Sequence, residues 1–142
     1  MVTLIIPYYK LPSKPSEVFP EEEGVWRPLI ELRINYKTAH FDCLALLDSG
    51  ADNCLFPAEV GEYLGIRNIR SGKTKIFGGI GKGAIKAYFH DVLLRVRDLS
   101  FKCRAGFTYD KMPCVLLGQK GFFDQCIVNF DLPGKVIRLS VL

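Results

Sequence analysis

Residues 30–52, IELRINYKTAHFDCLALLDSGAD, hold the pattern on which the fold turns. Ile30, Leu32, Ile34 and Tyr36 alternate with Glu31, Arg33 and Asn35, the period of a half-buried strand. Lys37-Thr38 reads as a turn, and residues 40–47 read as a second strand ending in the apolar run Leu44-Ala45-Leu46-Leu47. That strand delivers Asp48-Ser49-Gly50-Ala51-Asp52 into a tight turn that Gly50 permits. A carboxylate leaving an apolar strand occupies a costly position. Taken alone, Asp48 has two readings: an Asx-type turn in which it accepts a backbone hydrogen bond, or a chemical role.

Outward from this stretch the pattern stays β. Residues 73–77 and 84–97 suggest strands, and in 99–107 Leu99, Phe101, Cys103, Ala105 and Phe107 alternate with polar or small residues. The C-terminus reads as a hairpin, 127–131 and 136–142, around Leu132-Pro133-Gly134-Lys135. Only 57–64 and 119–125 look helical, and each is too short to stand without tertiary support. Residues 11–24, with three prolines and Glu21-Glu22-Glu23, show neither helix nor strand periodicity and read as a surface wrap or extension. Phe41-x-Cys43 followed by Cys54 recurs as Phe101-x-Cys103 followed by Cys114, which points either to chance or to two similar strand-loop-strand halves. The expected architecture is all-β, a small closed barrel with one or two short helices, built as one domain over residues 1–142.

Composition narrows the function classes. With 49% hydrophobic and 24% charged residues in 142, the chain can bury a real core. A net charge of +4 spread along the chain does not argue for nucleic acid. Five cysteines without a Cys-x-x-Cys pair, beside only His40 and His90, indicate neither a metal site nor a disulfide framework. Residues 2–6 are too short for a signal-peptide core, and no run approaches a membrane span. The expectation is a cytoplasmic protein with reduced thiols, no cofactor, and no nucleic-acid or membrane partner. Trp26 reads as rim or core packing, and the two histidines as strand residues.

Three elements in order resemble the retropepsin family, the retroviral-type aspartic proteases and their prokaryotic relatives. Leu46-Leu47-Asp48-Ser49-Gly50-Ala51-Asp52 is similar to the family's active-site loop. Phe77-Gly78-Gly79-Ile80-Gly81-Lys82-Gly83 resembles its glycine-rich flap, and Val115-Leu116-Leu117-Gly118 its apolar-apolar-Gly element behind the catalytic turn. The resemblance runs from about residue 30 to the C-terminus, and Leu55-Phe56-Pro57 leading into a short helix is most like the small prokaryotic members.

The resemblance implies an acid-protease barrel with one lobe per chain and Asp48 as the catalytic residue. Ser49 and Gly50 would support the loop. Ala51, Asp52, Gly78, Gly79, Ile80 and Gly81 would contact substrate, and Leu116, Leu117 and Gly118 would close the loop. Such chemistry needs two carboxylates sharing one proton, for which aspartic proteases are the standing example. One Asp-Ser-Gly per chain therefore implies a homodimer acting on a peptide or protein substrate. One departure is plain: where retroviral enzymes have an arginine after the glycine, this chain has Gln119. That leaves a second reading, a catalytically silent dimeric peptide-binding or scaffold module. Residues 136–142 could be a dimer-seam strand, with residues 2–6 a candidate partner, or could close their own barrel.

Overall fold

The structure, a computed structural model, describes residues 1–79 and 82–141. The expected alternation organises it. Strand β4 (Leu29–Tyr36) buries Ile30, Leu32 and Ile34, and strand β5 (Ala39–Leu47) follows it antiparallel through the turn at Lys37-Thr38. Strand β8 (Lys82–Val96) and strand β9 (Leu99–Thr108) form a long hairpin, pairing from Ala87↔Thr108 to Val96↔Leu99. Phe101, Cys103, Ala105 and Phe107 point into the core from β9, opposite Val92, Leu94 and Val96 of β8. Two short strands, β6 (Leu55–Pro57) and β10 (Val115–Leu117), complete the set. The order is β4-β5-β10-β6-β9-β8, and β8 pairs back onto β4 at Arg33↔Arg95, so the sheet closes on itself as a six-stranded barrel. Closure removes the open edges a flat sheet would expose.

β5 pairs parallel with β10 while β9 pairs parallel with β6, and β6 and β10 meet antiparallel at Leu55↔Leu116. Exchanging β5 with β9 and β6 with β10 maps this arrangement onto itself. The recurrence of Phe-x-Cys and Cys at a spacing of sixty residues is therefore a structural repeat. Cys54 and Cys103 are buried side by side as packing residues, and the adjacent Cys54 thiol and burial push the Cys103 thiol up.

Beyond the barrel, strand β7 (Lys73–Gly79) pairs with the first half of β8 as a hairpin, its register shifting between Phe77 and Gly79. Helix α1 (Ala58–Tyr63) follows β6 directly and lays Ala58 and Val60 on the core. Gly61 is required there by close approach, since a Cβ would come within 2.5 Å of Ile69 Cδ1 and 2.9 Å of the Phe107 ring.

Three expectations change. Residues 119–125 are a series of turns and no helix: Phe123 N–H donates to Gly118 O and Asp124 N–H to Gln119 O, each five residues back. The cause is Gly121, whose φ of +101 breaks the helical path; a Cβ at that position would lie 2.5 Å from Cys103 Sγ. A short 3₁₀ turn, Ile69–Ser71, stands where no helix was expected. Residues 11–24 are not free of strand, because their ends join strand β2 (Tyr9–Pro12) to strand β3 (Gly24–Arg27) in an antiparallel arm, with 13–23 as its exposed loop. Trp26 on this arm is rim packing, its ring lying 5.6 Å from Lys10 Nζ and 5.2 Å from Lys135 Nζ.

The C-terminal strand does not close the barrel but belongs to a separate three-stranded sheet. Strand β12 (Val136–Val141) lies between strand β1 (Val2–Pro7) and strand β11 (Ile127–Asp131), both antiparallel to it. Ile137 and Leu139 are fully buried beneath that sheet.

Candidate active site

β5 is buried at Ala45 and Leu47 and carries Asp48 out at its end, half-buried, between solvent-exposed Ser49 and the barrel wall. The turn is made by its own groups. Asp48 Oδ1 accepts the Gly50 N–H at 3.0 Å, Asp48 O accepts the Ala51 N–H at 3.1 Å, and the Asp48 N–H donates to Leu117 O at 3.0 Å. The Asx-type turn considered from sequence is thus present. It engages one carboxylate oxygen.

Leu116-Leu117-Gly118 closes the back of this turn. Leu116↔Leu46 and Leu117↔Leu47 lie side by side in the parallel ladder. Past them the chain slides under the Asp48 loop, where the Gln119 N–H donates to Ala51 O at 2.8 Å and the Lys120 N–H to Asp52 O at 2.9 Å. Gly118 is the residue that allows the approach: a Cβ there would sit 2.6 Å from Ala51 O and collide with Asn53 O. Its N–H donates to Cys54 Sγ at 3.4 Å.

Gln119, a departure from the retroviral pattern in sequence, proves to be a support. Its Nε2 donates to the Ser49 carbonyl, tying the Asp48 turn to the strand behind it. Asp52 is exposed, and its side chain makes no hydrogen bond among the described residues. Ala51 is half-buried.

The flap residues divide. Gly78 lies exposed near the tip of the β7–β8 hairpin, and a Cβ there would meet nothing within 4 Å. Gly79 closes the described ladder opposite Lys82. Ile80 and Gly81 lie outside the described residues. One side-chain bond links the hairpin to the Asp48 loop, Lys75 Nζ donating to Asn53 Oδ1 at 2.9 Å.

The second loop, between β9 and β10, repeats the first. Thr108 stands sixty residues after Asp48, and its Oγ1 accepts the Asp110 N–H at 3.0 Å, just as Asp48 Oδ1 accepts that of Gly50. Asp110 Oδ2 in turn accepts the Lys86 N–H at 2.8 Å and extends the β8 ladder at the root of the flap hairpin. The Cys-to-Cys recurrence, which sets Tyr109-Asp110 in the second loop as it sets Asp48 in the first, was the signal that could also have located Thr108. Cys114 ends this loop near the site: burial raises its thiol pKa, and the Asp48 carboxylate raises it further. Asn53 and Lys75 carried no sequence signal of their own. Among the described residues no group of three or more His, Cys, Asp or Glu side chains could hold a metal ion, and no helix is long and apolar enough to cross a membrane.

No family model matches the chain, and no curated protein matches it. Solved structures do. One is an EIAV protease complexed with the inhibitor HBY-793, 23% identical, with a TM-score of 0.49, covering 66% of this chain and 82% of that one. At that identity the likeness says nothing about this chain's chemistry.

Proposed function

We propose that the chain is an aspartic endopeptidase, active as a homodimer in which Asp48 of each subunit forms one catalytic dyad. The observation that carries this reading is the contrast at the two turns. Thr108 makes the same i to i+2 bond with a hydroxyl and is 1% exposed, so the turn itself does not call for an acid. Asp48 makes it with a carboxylate that is half-buried and keeps its other oxygen for a further partner. An acid thus stands where a hydroxyl suffices for folding, which leaves its second oxygen free for chemistry.

Two such carboxylates at hydrogen-bonding distance cannot both ionise. One stays protonated and the other takes a proton from a water that attacks the scissile carbonyl, while the protonated partner donates to the carbonyl oxygen. One chain supplies one such turn, which makes the monomer inactive. Exposed apolar side chains on the outer strands of the terminal sheet, Val2 and Ile5 on β1 with Ile127 and Phe130 on β11, support association through that region.

Ser49 and Gly50 hold the turn, Gln119 and Gly118 anchor it from behind, and the β7–β8 hairpin acts as the flap over the bound peptide. The test is cleavage of a broad peptide mixture by wild type and by Asp48→Asn. Cleavage by the wild type and none by the folded variant is the expected result. Cleavage that survives the substitution would end the Asp48 reading, and a wild type that binds peptides and cuts none would leave a binding module on the same fold.

A further inference from the structure

A groove of about 1150 Å³ is lined by parts of β7, β8 and β9, by the turn after β4 and by the 120–125 turns. Six cations line it: Lys37, Lys73, Lys75, Lys102, Arg104 and Lys120. Two carboxylates line it as well, and both are engaged. Asp91 pairs with Arg104 at 3.2 Å, and Asp124 Oδ1 accepts the Gly121 N–H at 3.0 Å. None of the five lysines pairs with a carboxylate among the described residues. Lys75 is bonded to the neutral Asn53, and Lys37 lies 5.4 Å from the Tyr36 ring. So strong a like-charge concentration is out of proportion to a chain of net charge +4, and it sets up a local positive field.

The groove is continuous with the catalytic loop. Asn53, 7% exposed, closes its inner end five residues after Asp48. Lys120 bridges to Asn53 along the backbone and directly follows Gln119, whose side chain holds Ser49. Lys75 reaches the same asparagine from the flap strand. The Asp48 turn and the groove are therefore joined through Asn53 and Lys120, and the groove lining adds the apolar side chains of Phe89 and Leu93.

We infer that this groove is an extended substrate subsite that selects peptides carrying acidic residues a few positions from the scissile bond. The inference rests on the peptidase reading of Asp48, but its binding step does not need cleavage. A peptide is favoured over nucleic acid by the lining. Half-buried Phe89 faces Phe77 and half-buried Tyr36 lies beside Lys37, so neither offers the free aromatic face on which bases stack. The two carboxylates also interrupt the run of charge that a phosphate backbone would follow. A peptide of suitable chemistry occurs in this chain: exposed residues 13–23 of the arm place Val18-Phe19 beside Glu17 and Glu21-Glu22-Glu23.

The test measures binding to full-length Asp48→Asn protein by fluorescence anisotropy. The probes are a labelled peptide of residues 13–24, SKPSEVFPEEEG, and the same peptide with all four glutamates changed to glutamine. The acidic peptide is expected to bind about tenfold more tightly in low salt, with the advantage fading at high salt as the charges are screened. Adding Lys73→Glu and Lys102→Glu, both exposed positions, should abolish that preference while the thermal midpoint is kept. Equal binding of the two peptides, no binding of either, or a preference that survives the lysine reversals overturns the inference. So does a single-stranded RNA 12-mer that binds the groove more tightly than the acidic peptide. If wild type cleaves nothing yet the preference holds, the peptidase reading fails and the groove stands. Asp48-dependent cleavage without the preference fails the groove alone.

Discussion

The Asp48 loop and the Thr108 loop begin from equivalent strands of one repeat and close the same local turn, yet they differ in what they offer solvent. Thr108 is sealed in the barrel, and its loop spends Asp110 on the backbone of β8. Asp48 is half-exposed, with its loop clamped from below by Gly118 and Gln119. The comparison separates what the fold needs, a short acceptor at the first turn position, from what chemistry needs, a carboxylate that is held and accessible.

The largest effect should come from making the first loop like the second. Asp48→Thr preserves a side-chain acceptor and should fold with a thermal midpoint near wild type, but peptide cleavage should fall by at least about a thousandfold. Residual cleavage near wild type would break the comparison. Next is the clamp: Gly118→Ala drives a methyl into the Ala51 and Asn53 carbonyls and should cost about 3 kcal/mol in urea unfolding. Thr108→Val keeps the shape but loses the acceptor for the Asp110 N–H, and should cost about 1 kcal/mol while cleavage persists.

The smallest effect concerns Cys114, whose thiol is raised by burial and by the Asp48 carboxylate. A raised pKa means little thiolate at neutral pH, so alkylation of Cys114 should be slow there and should accelerate as pH rises. Asp48→Asn removes the neighbouring charge, lowers that pKa and should speed labelling at neutral pH, read by mass spectrometry of the modified peptide. An unchanged rate would place Cys114 away from the site.

Much of the barrel was legible because its longer strands obey one period. β4 and β9 bury every second residue, so their inward faces could be read directly from 30–36 and 99–107. The exceptions have physical causes. β6 and β10 are three residues each, too short for any period, and exist because parallel neighbours pair with them. Residues 119–125 have helical composition, but Gly121 turns left-handed where a Cβ would strike the buried Cys103 sulfur eighteen residues earlier in sequence. Prolines hid the arm, whose pairing uses only the ends of the proline-rich stretch. At the site, Asp48-Ser49-Gly50 was readable as a motif. The tie from Gln119 and the link from Lys75 to Asn53 were not, because both join segments far apart along the chain.

The account stands on two Asp48 carboxylates from two chains meeting in one site. The most direct measurement is to titrate Asp48→Asn subunits into a fixed amount of wild type, allow exchange, and follow cleavage of one peptide. Wild-type subunits drawn into mixed dimers should lose activity, so the rate should fall toward zero as the variant comes into excess. A rate that stays constant however much variant is added would contradict the shared site.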